Sequence, residues 1–202
     1  MEFFRRAAAS PSRLGVFPGT FNPPTVAHLA LARAALAEVG EVLFVLPRSF
    51  PHKPYRDTTL EQRLELLAAA LEGASLFSMA VADGGLFIEI ARECRKIYPP
   101  PVRLSFVCGR DAAERVAGWD YGRRGAWQEM LQEFDLLVAP RAGESRPEAG
   151  DGLALAGTLA VDPGWATVSA SEVRRRIAAG DAWEHLVPAE IRAAVRRLYG
   201  SL

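Results

Sequence analysis

Apolar residues in this chain fall into short unbroken runs, separated by longer stretches of helical spacing. Leu14 to Phe17, Glu41 to Leu46, Leu76 to Val81, Val102 to Cys108 and Asp135 to Ala139 are strand-length runs with little polar alternation. That is the pattern of strands covered on both faces of a parallel sheet. Between the first two, Leu29, Leu31 and Leu36 predict a helix from about Thr25 to Val39, with Gly40 as its C-terminal glycine. Leu60, Leu64, Leu67 and Leu71 form the stripe of a second helix, with Thr58 and Glu61 read as its capping box. Leu86 to Tyr98 has helical spacing and stops at Pro99-Pro100-Pro101. Asp111 stands at the next helix start, and Ala126 to Gln132 predicts another short helix. Gly157 to Val161 reads as a short sixth strand. Ser169-Ala170-Ser171-Glu172 reads as a capping box for a helix carrying Arg174, Arg175 and Arg176. Pro188 opens a last helix with Ile191, Val195, Leu198 and Tyr199 on one side.

Strand–helix alternation of this kind predicts an α/β fold: a doubly wound, Rossmann-like parallel sheet with right-handed crossovers, followed by C-terminal helices. We read residues 13–202 as a single domain and residues 1–12 as an N-terminal extension. Phe3, Phe4, Arg5 and Arg6 suit a docked turn, an oligomer contact or a frayed tail alike.

In open α/β sheets ligands bind beyond the carboxyl ends of the strands, so the loops there carry the candidate chemistry. The first is Pro18-Gly19-Thr20-Phe21-Asn22-Pro23-Pro24, leading to Thr25 as an N-cap. A helix start after a glycine turn offers free N–H groups and a positive dipole end to phosphate. Thr25 and His28, three apart, share one face of its first turn. The second loop, Pro47 to Tyr55, is stiffened by prolines and carries His52 and Lys53. Neither G-x-G-x-x-G nor G-x-x-x-x-G-K-[ST] occurs, which sets aside dehydrogenase dinucleotide binding and the P-loop.

Lysine plus arginine equals aspartate plus glutamate at 24 each. No global field therefore calls for nucleic acid or an anionic membrane. The apolar runs are too short to span a bilayer. Cys94 and Cys108 are not spaced as a metal site or redox pair, and we read them as reduced core thiols of a cytoplasmic protein.

Several of these loops together resemble one family. Gly19-Thr20-Phe21-Asn22-Pro23-Pro24-Thr25-Val26-Ala27-His28 is similar to the G-x-F-[DN]-P-x-[HT]-x-x-H signature of nucleotidyltransferases of the nicotinate/nicotinamide mononucleotide adenylyltransferase type. Pro51-His52-Lys53 resembles that family's P-H-K loop, Gly109-Arg110-Asp111 its G-x-D, and Trp119 its following tryptophan. Val168 to Arg174 resembles its I-S-S-T-x-I-R helix start, and Leu186-Val187-Pro188 its L-V-P. The resemblance spans roughly residues 13 to 199. It departs at Gly84-Gly85-Leu86-Phe87-Ile88-Glu89, where the family usually has a Ser/Tyr/Thr cluster, and at Ala170, which replaces a serine.

The resemblance implies a nucleotidyltransferase-type fold. The activity it implies is transfer of the adenylyl group of ATP to nicotinate or nicotinamide mononucleotide in NAD biosynthesis. The alternatives are another phosphorylated acceptor, CTP as donor, or a non-catalytic nucleotide sensor. It implies His28, Thr25, Lys53 and Arg174 as catalytic phosphate contacts. ATP would be held by Gly19, Thr20, Phe21, His28, Gly109, Asp111, Ser169, Ser171 and Arg174. The acceptor would be held by Asn22, Lys53, Gly84, Gly85, Trp119 and Arg141. Mg²⁺ is expected to arrive with ATP, with no protein metal site. The partners expected are ATP and a mononucleotide, with a homo-oligomer allowed.

Overall fold

A computed structural model describes residues 1–8, 10–49, 58–139, 156–165 and 167–200. Seven strands form one sheet in the order β1-β4-β3-β2-β5-β6-β7. The central ones are β2 (Arg13–Pro18), β3 (Glu41–Pro47), β4 (Phe77–Ala82), β5 (Arg103–Gly109) and β6 (Asp135–Ala139). They pair parallel, as does the short β7 (Ala156–Thr158) with β6. The apolar runs thus lie where the pattern places them, within a residue or two at each end.

Alternation within each strand divides the core in two. Leu43 and Val45 of β3 face a layer that holds α3 (Phe87–Arg95), α4 (Arg110–Ala117) and α5 (Ala126–Met130). Val42, Phe44 and Leu46 face the other layer, with α1 (Val26–Ala35) and α2 (Leu60–Ala70). A third cluster joins Leu66 and Ala70 of α2 to α6 (Ala170–Ala179) and α7 (Arg192–Tyr199), through Val173, Trp183, Ile191, Val195 and Tyr199. The C-terminal helices therefore cover α2 and not the sheet itself. Among the described residues no helix is long and apolar enough to cross a membrane. Both cysteines are buried and free, and burial pushes each thiol up to about 12.

The N-terminal segment is a docked edge strand. β1 (Glu2–Arg5) pairs antiparallel with β4. Beyond it the Ala7 N–H donates to Ser78 Oγ at 2.8 Å, and Ser78 Oγ donates to Glu41 Oε1 at 2.6 Å. Tyr98 also donates to Glu41 Oε1, at 2.8 Å, so a buried carboxylate is satisfied at the amino end of β3.

Local boundaries differ from the sequence reading for identifiable reasons. α1 ends at Ala35, not Val39, and the Gly40 N–H bonds Arg13 O as the chain enters β3. α2 is capped by Thr59 and Gln62, not Thr58 and Glu61, because the Thr58 hydroxyl donates to Asn22 Oδ1 at 2.9 Å. Ser169 caps α6 but lacks the reciprocal half of the box. Glu172 turns instead to Arg175 and Arg176, whose guanidinium groups hold its carboxyl down to about 2.

Candidate active site

The sheet order reverses direction at β2, whose neighbours are β3 on one side and β5 on the other. A cavity of about 290 Å³ opens beside that switch point. This is close to the lower end of the roughly 300–1,000 Å³ typical of small-molecule sites. Pro18, Gly19 and Thr20 form one side together with His28 and Leu31 of α1. Gly85, Leu86 and Phe87 come from the loop after β4 and the start of α3. Cys108 and Gly109, then Ala112, Arg115, Val116, Trp119 and Tyr121, complete the wall. Three loops far apart in sequence therefore meet, because the parallel register brings their strand ends to one edge.

His28 has a defined chemical state. Its Nδ1 accepts the Thr25 backbone N–H at 2.9 Å and lies 2.8 Å from Thr25 Oγ1, while Thr25 Oγ1 accepts the His28 N–H at 3.3 Å. A nitrogen that accepts a backbone N–H carries no proton, so the neutral ring bears its hydrogen on Nε2. Burial lowers the imidazole pKa to about 4, so that tautomer persists at neutral pH. The result is a fixed neutral N–H donor at the cavity, beside the start of α1.

The glycine–phenylalanine turn supports this ring. Phe21 adopts φ 45°, an uncommon conformation for a non-glycine residue. Its ring packs edge-on to His28 with centroids 5.2 Å apart, and against Phe17 and Phe44. A Cβ at position 19 would stand 2.8 Å from Phe21 Cζ, so any other residue there forces that packed ring to move. Arg63, almost fully buried, donates through Nε to Thr59 O at 3.1 Å and through Nη1 to Thr20 O at 3.4 Å. It ties α2 to the same turn. Sequence reading passed over Arg63 because it sits within a leucine-rich helical stripe.

Of the residues singled out from the sequence, Gly19, Thr20, His28, Gly85, Gly109 and Trp119 line one cavity. Thr25, Phe21 and Asn22 do not line it; all three are buried. The Thr25 hydroxyl is engaged by His28, accepting its N–H and lying against its Nδ1. Asn22 Oδ1 accepts from Thr58 and from Tyr199, and Arg174 donates to Asn22 O and, at 3.4 Å, to Ser171 Oγ. Arg174 and Asn22 thus lock α6 and α7 to the turn. Ser169 is occupied as the α6 N-cap. Asp111 lies in the first turn of α4, exposed; Gly109, the α4 N-cap residue, has no side chain to cap with, and a Cβ there would meet nothing within 4 Å. Gly84 does not line the cavity, and its N–H donates to Glu93 Oε1 at 3.3 Å. The Leu86 N–H donates to Glu89 Oε2 at 2.9 Å. Among the described residues the Gly85 N–H has no such partner. His52, Lys53 and Arg141 lie outside the described residues. Arg115 carried no distinct signal in the sequence, although it stands four residues before Trp119, while Tyr121 reads there as part of the aromatic loop Trp119-Asp120-Tyr121-Gly122.

Comparison with known proteins agrees with this geometry. The cytidylyltransferase-like family model matches residues 16–176. A probable nicotinate-nucleotide adenylyltransferase of Gloeobacter violaceus is 30% identical over 193 residues, covering 89% of this chain and 91% of its own length. One from Carboxydothermus hydrogenoformans is 26% identical over 193 residues, covering 89% and 93%. The Plasmodium falciparum nicotinic acid mononucleotide adenylyltransferase complexed with NaAD shares the fold, with a TM-score of 0.72 at 16% identity over 93% of this chain and 97% of that one. The chain belongs to the cytidylyltransferase-like family of nucleotidyltransferases.

Proposed function

We propose that this protein transfers the adenylyl group of ATP to nicotinate mononucleotide, forming the dinucleotide and releasing pyrophosphate. An oxygen of the acceptor's phosphate forms a bond to the α-phosphorus of ATP. The bridging α–β P–O bond breaks, and its electron pair leaves with pyrophosphate. Such a step needs in-line positioning and compensation of phosphate charge more than covalent help. The observation that carries the reading is the fixed Nε2–H of His28 beside a helix start, in one cavity with Trp119. A neutral donor there strengthens its hydrogen bond as charge builds towards the leaving group. The first turn of α4, whose N-cap is a glycine with no side chain, would offer further N–H groups, and Asp111 in that turn would accept from ribose hydroxyls.

Trp119 offers a flat face for the pyridine ring. The Gly85 N–H suits a ring carboxylate better than an amide, which must also donate. The names of the curated relatives point the same way. Arg174 and Lys53 are proposed to act on the phosphates, Arg174 through the α6 contact to the turn. Mg²⁺ is taken to travel with the triphosphate, held by phosphate oxygens and water. The test is to incubate the purified protein with nicotinate mononucleotide and either ATP or CTP, and to weigh the products. The adenine dinucleotide should form from ATP. Product from CTP alone, or none from either, would defeat the reading.

A further inference from the structure

The wall that carries Trp119 also carries a cation to which no role has been given. Arg115 sits in the last turn of α4, exposed, and lines the cavity beside Val116 and Trp119. Neighbouring arginines are engaged: Arg110 with Glu114 at 2.8 Å, Arg123 with Glu129. Among the described residues nothing bonds the Arg115 guanidinium. With no acid partner among the described residues, its charge stands at the edge of a mainly apolar cavity, where an entering anion can meet it.

The remaining polar groups of the lining cannot take that part. Tyr121 donates its hydroxyl to Val116 O at 2.8 Å, and burial pushes its pKa up to about 12. The Cys108 thiol is held protonated by burial, and the His28 ring is neutral. Arg115 is therefore the charged side chain among the described residues of the lining at neutral pH. Glutamates near the loop after β4 do not oppose it, because Glu89 and Glu93 are turned to the Leu86, Asp83 and Gly84 N–H groups.

We infer that Arg115 is a specificity-determining residue that binds the carboxylate of the acceptor's aromatic ring while the ring stacks on Trp119. The inference rests on the adenylyl-transfer reading above and adds the group that selects an acid over an amide. A guanidinium fork matches a carboxylate with two parallel N–H donors and offers an amide a single acceptor and a clash of donors. Gly85 lines the same cavity, and its N–H would be a second donor to the same anion. The arrangement also explains how the chain dispenses with a hydroxyl cluster at Gly84 to Glu89: the anion is met by a charge from α4.

The experiment is steady-state kinetics of the wild type, Arg115→Gln and Arg115→Lys with nicotinate and nicotinamide mononucleotides, ATP in excess. Arg115→Gln should lower kcat/KM for the nicotinate substrate by about 10–100-fold, the range for a charge-assisted hydrogen bond. It should change kcat/KM for nicotinamide mononucleotide by less than about threefold. Arg115→Lys should fall between. An unchanged melting temperature shows that the variants fold, as expected for an exposed side chain. Equal losses on both substrates would place Arg115 on the shared phosphate and overturn the inference, as would no loss on either. A wild type that prefers the amide would overturn the carboxylate assignment while leaving adenylyl transfer intact. A wild type that turns over neither would overturn both.

Discussion

His28 does two jobs that one substitution can separate. Its Nδ1 closes the Thr25 capping box, and its Nε2 presents the donor. Asn at position 28 would put Oδ1 where Nδ1 now accepts the Thr25 N–H, but has no atom at the place of Nε2. Alanine supplies neither. Thr25 is fully buried, so His28→Ala leaves its N–H without a partner, at a cost of about 1–3 kcal/mol. At about 2–4 °C per kcal/mol for a chain of this size, the melting temperature should fall by several degrees. His28→Asn should melt close to wild type. Both should lose about 10²–10³ in kcat, the usual loss for one electrostatic donor, with little change in KM for ATP. The assay is pyrophosphate release at saturating substrates, alongside thermal melts. Near-normal turnover in His28→Asn would refute the donor role. A kcat loss confined to the alanine variant would mean that the ring serves the fold alone.

The same ring sets a pH signature. Its folded pKa of about 4 lies below the ordinary 6.5, so between those values the unfolded chain binds the proton and the folded chain does not. This term stabilises the fold fully above pH 6.5 and is lost as pH falls to 4. At about 1.4 kcal/mol per pH unit it amounts to about 3 kcal/mol in urea melts, and a flat stability profile over that window would contradict it. Gly19→Ala should displace Phe21, whose Cζ would be 2.8 Å from the new methyl, and cost about 10²-fold in kcat; a wild-type rate would show that the turn tolerates the shift. Arg174→Ala should raise KM for ATP by about tenfold, while Arg175→Ala should do little, because Glu172 keeps Arg176; equal effects would mean Arg174 does not anchor the turn. Glu41→Ala leaves Ser78 and Tyr98 without their acceptor and should cost about 3 kcal/mol in denaturant melts with kcat/KM unchanged, since it lies at the far end of β3.

Strand positions and loop chemistry were legible in the sequence because parallel strands must be apolar on both faces and glycine turns must follow them. What was hidden depended on contacts distant in the chain. Thr58 looks as good a cap as Thr59 until Asn22 claims its hydroxyl. Glu172 looks like half of a box until two arginines take it. The edge strand Glu2–Arg5 has no periodicity of its own, and is fixed by β4 and by Ser78. Thr25 and His28 were legible as neighbours on one turn. That the hydroxyl turns inward, and so sets which imidazole nitrogen faces the cavity, follows only from the geometry of the cap. Arg115 differs from any solvated arginine only by the wall it stands on.

The most direct measurement of the central claim is a competition. Equimolar nicotinate and nicotinamide mononucleotides are given limiting ATP, and the two dinucleotides and pyrophosphate are counted. The account predicts nicotinate adenine dinucleotide in at least about tenfold excess, the discrimination of one well-met charge, with one pyrophosphate per dinucleotide. A nicotinamide product in excess, or pyrophosphate released without either dinucleotide, would contradict it.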